Sequence, residues 1–283
     1  MSRPVKQFLS IAQQVDYLRS AGMRIDDEDS AAEILSGTNY YRLINAYALG
    51  LYIDNEKTKF KPGISFGDIY GLYVFDCKLR HILSEMLEEF EIIFRTNLAY
   101  HIGETYGPLG YLNSAMFSSN DYFMEMLAAM QREKSVQCKS PIVKHHDENY
   151  GGDIPVWAIV EILPFGTISK MFKNMLPKDK TIISRSVGVH QYAFLESWLR
   201  SFVEVRNTCA HYGRLYNKQL LFPPRLPKEC DFPSNRIFAV LYLLRPFLKP
   251  QASISATLRL KEALEHHPSV DRSKIGFPAN YLK

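Results

Sequence analysis

A histidine, two arginines and two amides crowd the stretch EVRNTCAHYGRLYN at 204–217. Imidazole titrates near neutral pH and can move protons. Guanidinium grips phosphate oxygens through a two-pronged fork and can stabilise a developing phosphorane. Arg206, Asn207 and His211 therefore form a candidate catalytic set for phosphoryl chemistry, with Asn207 placed to fix the imidazole tautomer. Arg214 and Asn217 follow as candidate phosphate-binding residues.

Spacing alone does not single this set out. Four of the eight histidines follow an arginine with four to six residues between: His101 after Arg95, His190 after Arg185, His211 after Arg206 and His266 after Arg259. Chance supplies about one or two such pairs. Only Arg206 is followed directly by an amide; a helix-end histidine beside a solvated or ion-paired arginine fits the bare spacing as well. Arg95 and His101 are a possible secondary pair, for which packing or an ion pair to Glu88, Glu89 or Glu91 is the alternative. Asp76 and Arg80, four apart, read as a structural salt bridge. The tandem His145–His146 reads as solvent-exposed, and Trp157 and Trp198 as core anchors.

The elements that must position these groups are helical. Ser10 can cap a helix stopped by Gly22, and the acidic run 26–29 opens a second ending near Gly37. NYYRLINAYALGLY predicts a third helix. The longest helical pattern runs from Asp68 to about Tyr106, as one helix or two with a kink, through Ile69, Leu72, Tyr73, Asp76, Leu79, Leu83, Leu87, Phe90 and Phe94. A helix at 119–132 precedes a polar loop, mobile near 138–154. Further helices are expected from Pro155 with a break at Pro164–Gly166, then at 178–187, 191–212, 234–247 and 253–267. In the 191–212 helix, Phe202, Val205, Cys209 and Tyr212 form the buried stripe, while Asn207 and His211 share another face. No strand ladder or repeat is legible, so the fold class is all-α.

Composition bounds the function. The 283 residues carry 34 basic and 30 acidic side chains, and 46% are hydrophobic. This excludes a disordered chain and a polybasic coating protein. Cys77, Cys138, Cys209 and Cys230 form no CxxC pair, so no metal or other cofactor is expected. The N-terminus lacks an apolar signal core, and runs such as Phe238–Leu244 are too short to cross a bilayer. A cytoplasmic protein without a membrane partner is expected.

Five blocks in order along the chain, at 8–43, 60–83, 90–107, 155–172 and 197–217, resemble the abortive-infection AbiD/AbiF-like family of bacterial phage-defence proteins, within the HEPN ribonuclease superfamily. The most specific is SWLRSFVEVRNTCAHYGRLYN; residues beyond 217 match less clearly. The resemblance implies a HEPN-like helical bundle at 61–217, between an N-terminal helical segment, 1–60, and a basic C-terminal helical extension, 218–283. It implies a toxin-like endoribonuclease that cleaves RNA without metal through Arg206, Asn207 and His211. Arg206 and His211 are five residues apart, about 140° around a helix, so one copy supplies both groups to one phosphate poorly. HEPN relatives resolve this by joining two motifs across a two-fold axis, which implies a homodimer with a composite active site. The alternative is a non-catalytic RNA-binding or dimerisation module in complex with a structured small RNA. Residues 214–283 hold 12 basic and 5 acidic side chains, against 22 and 25 in the rest. This basic excess could form an RNA-docking surface or simply a solvated face.

Overall fold

The computed structural model describes residues 5, 7–54, 56 and 58–278. It is all-α: among the described residues no strand forms, and extended pairing is limited to isolated bridges such as Phe117 with Met175. The chain divides into two compact units, one of residues 1–80 with 258–272 and one of residues 81–257 with 273–283.

The first unit opens with α1 (Ile11–Ser20) and α2 (Glu28–Gly37). Ser10 and Gln13 close a reciprocal capping box at the start of α1, at 2.8 and 3.3 Å. Asp27 caps α2 by accepting from the Ser30 N–H at 3.0 Å. The third predicted helix forms only in part, over residues 40–47, and widens into a π-turn at Tyr41–Asn45. Gly50 then takes φ +83°, and Tyr52 bridges to Phe60 with their rings stacked at 4.5 Å, so this aromatic stretch turns back instead of coiling on.

Helix α3 (Phe66–Tyr106) runs unbroken through 41 residues, which settles the choice between one helix and two. Ser65 and Asp68 form its capping box. The Ser65 N–H and hydroxyl both donate to Asp68 Oδ2, at 3.0 and 2.6 Å, and the Asp68 N–H returns a bond to Ser65 Oγ at 3.1 Å. One turn of the apolar stripe is ionic. Asp76 is fully buried and accepts from Tyr47 OH and from Arg80 Nη1, each at 2.6 Å. The expected salt bridge is thus a core element. Burial and the adjacent Asp76 carboxylate hold the Tyr47 phenol well above its ordinary range.

The second unit takes α3 from His81 onward. It continues with α4 (Asn120–Val136), α5 (Pro141–Asn149), α6 (Val156–Ile162), α7 (Phe165–Asn174), α8 (Pro177–Ser186), α9 (Tyr192–Ala210), α10 (Ile237–Leu244) and α11 (Pro250–His266), the last up to Thr257. Helix α5 corrects the expected polar loop. Ser140 accepts from the Val143 N–H, Pro141 occupies the first helical position, and Gly151 and Gly152 stop the helix with positive φ. His145 and His146 lie on it, the first exposed and the second partly so. Trp157 is another correction: it is 57% exposed, lying against Gly103 rather than anchoring a core. The core is instead a phenylalanine cluster. Phe90 meets Phe202 at 4.8 Å and Phe247 at 4.7 Å edge to face, and Phe94 meets Phe172 at 5.5 Å.

Two stability tests follow from the first unit. Arg80→Met strands the buried Asp76 carboxylate and should cost about 3–5 kcal/mol in denaturant unfolding. The Ser65 hydroxyl holds the Asp68 carboxyl below its usual range. Its stabilisation is therefore full above the unfolded value of about 3.9 and is lost as pH falls through the lower folded value. Asp68→Asn should cost about 1 kcal/mol at pH 7, and the gap to wild type should close in acid.

Candidate functional site

Helix α9 is held by its apolar stripe. Leu195, Leu199, Phe202, Val205 and Cys209 are buried, and the Phe90–Phe202 contact sets α9 against α3 one turn before Arg206. Next to Phe90 stands Glu91, whose side chain is only 13% exposed. Its Oε1 accepts from Arg95 Nε at 3.1 Å, and its Oε2 lies 3.5 Å from Arg206 Nε. Arg95 also donates to the Val160 carbonyl of α6. One carboxylate therefore carries two guanidiniums, the buried Arg95 and the half-exposed Arg206.

Arg206 Nη1 reaches the adjacent Asn207 Oδ1 at 3.4 Å. Asn207 and His211 are exposed, and the imidazole has no hydrogen-bond partner among the described residues. The structure thus brings Arg206 and Asn207 together and leaves His211 facing outward at the helix end. Arg214 is half-buried in the turn that follows. Asn217, at φ +56°, accepts at its Oδ1 from Arg236 Nη1 at 3.0 Å, which ties it into the chain. Arg95 and His101 are not brought to one site. His101 Nε2 lies 2.8 Å from Asp179 Oδ1 of α8, and Tyr106 OH donates to both oxygens of Asp179 at 2.9 Å. Among the described residues no three His, Cys, Asp or Glu side chains are grouped as metal ligands.

The helix end is unusual. The Tyr212 N–H donates to the Cys209 carbonyl at 3.0 Å and the Gly213 N–H to the Thr208 carbonyl at 2.7 Å, a Schellman closure with His211 as C-cap. The left-handed position normally filled by glycine is held by Tyr212, at φ +55°. This turn ends the 100° period, so Tyr212 is 69% exposed instead of continuing the buried stripe. Gly213 is needed for a different reason, because a Cβ there would lie 2.9 Å from Thr208 Cγ2 and 3.2 Å from its carbonyl.

Sequence reasoning missed Glu91 and Glu204 as organisers of this region. Glu91 is four residues before Arg95, a legible helical pair, but its partnership with Arg206 joins residues 115 positions apart and leaves no local signal. Glu204 accepts from the backbone N–H groups of Leu221 and Phe222, each at 3.1 Å, and pairs with Lys218 at 3.0 Å. It pins the segment after the motif back along α9. Tyr212→Gly removes the left-handed penalty and should raise stability by about 0.5–1 kcal/mol in thermal unfolding, whereas Gly213→Ala should lower it.

A family model described as Abi-like protein matches residues 33–217, from α2 to Asn217. No curated protein and no solved structure matches the chain. No helix among the described residues is long and apolar enough to cross a membrane. The family match covers well over half of the chain and takes in Glu91, the whole of α9 and its terminal turn; the chain belongs to the Abi-like protein family of abortive-infection proteins.

Proposed function

We propose that this protein serves phage defence as a HEPN-type, metal-independent endoribonuclease, working in the cytoplasm as a homodimer. The observation that carries this reading is the division of labour at the end of α9. Glu91 pairs with Arg206, while Asn207 next to it and the unpartnered His211 one turn further on are exposed. A guanidinium and an imidazole brought to one phosphate are what cleavage of a phosphodiester by its own ribose requires.

In that reaction the 2′-oxygen forms a bond to phosphorus and the P–O5′ bond breaks. His211 takes the proton from the 2′-hydroxyl, the departing 5′-oxygen gains a proton, and the products are a 2′,3′-cyclic phosphate and a 5′-hydroxyl. Arg206 stabilises the charge on the phosphorane. The 140° between Arg206 and His211 supports a two-fold arrangement, in which the imidazole of one copy completes the site of the other. Such a pair also supplies both a proton acceptor and a proton donor. Arg214 would hold an adjacent phosphate.

The ion pair between Glu91 and Arg206 favours a second reading, a non-catalytic module bound to a structured small RNA, because it occupies part of the guanidinium's binding capacity. His211→Ala separates the two. It should lower cleavage of a fluorescent RNA at least ~100-fold, with the melting temperature and oligomeric state of the wild type retained. Wild-type protein that holds a discrete RNA and cleaves none would establish the binding module instead.

A further inference from the structure

We propose that the pocket between the N-terminal half of α9 and the segment 221–225 is a phosphate-binding subsite for single-stranded RNA, on the same track as the motif; this rests on the ribonuclease reading above. The pocket has a volume of about 550 Å³ and is lined by Lys180, Tyr192, Glu196, Arg200, Phe222 and Arg225, among others. It does not involve Arg206 or His211, and its position follows from helix geometry. Successive residues turn by 100°, so positions 193, 196, 197, 200, 204, 207 and 211 fall within an arc of about 100°. The pocket therefore shares a helical face with Asn207 and His211. From Arg200 the axial rise is about 10 Å to Asn207 and 16 Å to His211. At about 3.4 Å per stacked nucleotide, that is roughly three to five nucleotides.

The wall facing α9 is fixed by the helix itself. Trp198 Nε1 donates to the Arg225 carbonyl at 2.7 Å, the Arg225 N–H donates to Ser197 Oγ at 2.9 Å, and Ser201 Oγ donates to the Phe222 carbonyl at 2.5 Å. These bonds use the backbone of Arg225 and leave its side chain exposed. The Arg200 guanidinium lies over the Phe222 ring at 4.3 Å. Neither Arg200 nor Arg225 has a carboxylate partner among the described residues. The two carboxylates along this face are already compensated. Glu196 pairs with Lys180 at 3.1 Å, and Glu204 pairs with Lys218 and holds the two backbone N–H groups. The pocket thus keeps a surplus of two guanidiniums beside an aromatic ring that is 42% exposed. Guanidiniums grip the phosphodiester and an aromatic face accepts a stacked base, the pairing by which single strands are held.

The test uses His211→Ala protein, with and without Arg200→Gln and Arg225→Gln, binding a labelled 12-nucleotide single-stranded RNA across a salt series. The double substitution should weaken binding at least about tenfold. It should also reduce the slope of log affinity against log salt by about 1.4, the equivalent of two phosphate contacts. Arg200→Lys should keep the slope and lose part of the affinity. Unfolding curves establish that the variants are folded. Affinity and slope unchanged by the double substitution would overturn the subsite, even with wild-type cleavage intact; so would equal displacement of the RNA by polyglutamate, which would assign the pocket to acidic peptides. Wild-type protein that cleaves nothing, together with the predicted binding losses, would support the subsite while the ribonuclease reading fails.

Discussion

A single carboxylate organises the second unit around the motif. Glu91, nearly buried, lies between the guanidiniums of Arg95 and Arg206. Removing a charge from water costs several kcal/mol, and the charge is tolerated only where partners recover that cost. Arg95 is as deeply placed and needs Glu91 and the Val160 carbonyl for the same reason. Arg206 completes the group from α9. The arrangement depends on Phe90 and Phe202, whose edge-to-face contact fixes the register of α3 against α9 and so the distance at which Glu91 meets Arg206. Packing sets the geometry, and the shared carboxylate draws the Arg206 guanidinium toward α3.

From that anchor the polar face of α9 falls into three parts. Its N-terminal half borders the pocket with Arg200 and Arg225. Its middle is flanked by the returning segment that Glu204, Ser201 and Trp198 hold through backbone groups. Its end is exposed and closed by a Schellman turn in which Tyr212 takes a conformation that glycine adopts more cheaply. A strained residue immediately after His211 holds the chain in a sharp exit, so that the imidazole stands at the end of the helix and not along a covered flank. The basic excess after residue 213 contributes here through particular side chains: Lys218 neutralises Glu204, Arg236 ties down Asn217, and Arg225 enters the pocket.

The helices were largely legible because their signals are local. Ser10 with Gln13, Asp27, and the alternation of three- and four-residue steps from Ile69 to Phe94 act within a few residues. Where local signals misled, a nearby feature explains it. Ser140–Pro141 starts a helix inside a stretch that composition alone marks as loop, and Gly50 with the Tyr52–Phe60 stack ends the third helix short of its expected length. Tyr212 left the buried stripe because a helix period holds only while the helix lasts. The motif was visible as residue types. Its electrostatic support was not, because Glu91 and Arg206 meet only after α3 and α9 pack. Arg95 and His101, similar in spacing to the motif, are committed to Glu91 and to Asp179 instead.

In the proposed reaction the nucleophile is the RNA's own 2′-hydroxyl, with Arg206 assigned to charge and His211 to proton transfer. The chemistry of the cut ends reads this directly. Purified wild-type protein incubated with a defined RNA in excess chelator should leave 2′,3′-cyclic phosphate and 5′-hydroxyl termini, resolved by mass spectrometry of the fragments. Fragments bearing 3′-hydroxyl and 5′-phosphate ends, or cleavage that stops when chelator is added, would contradict it.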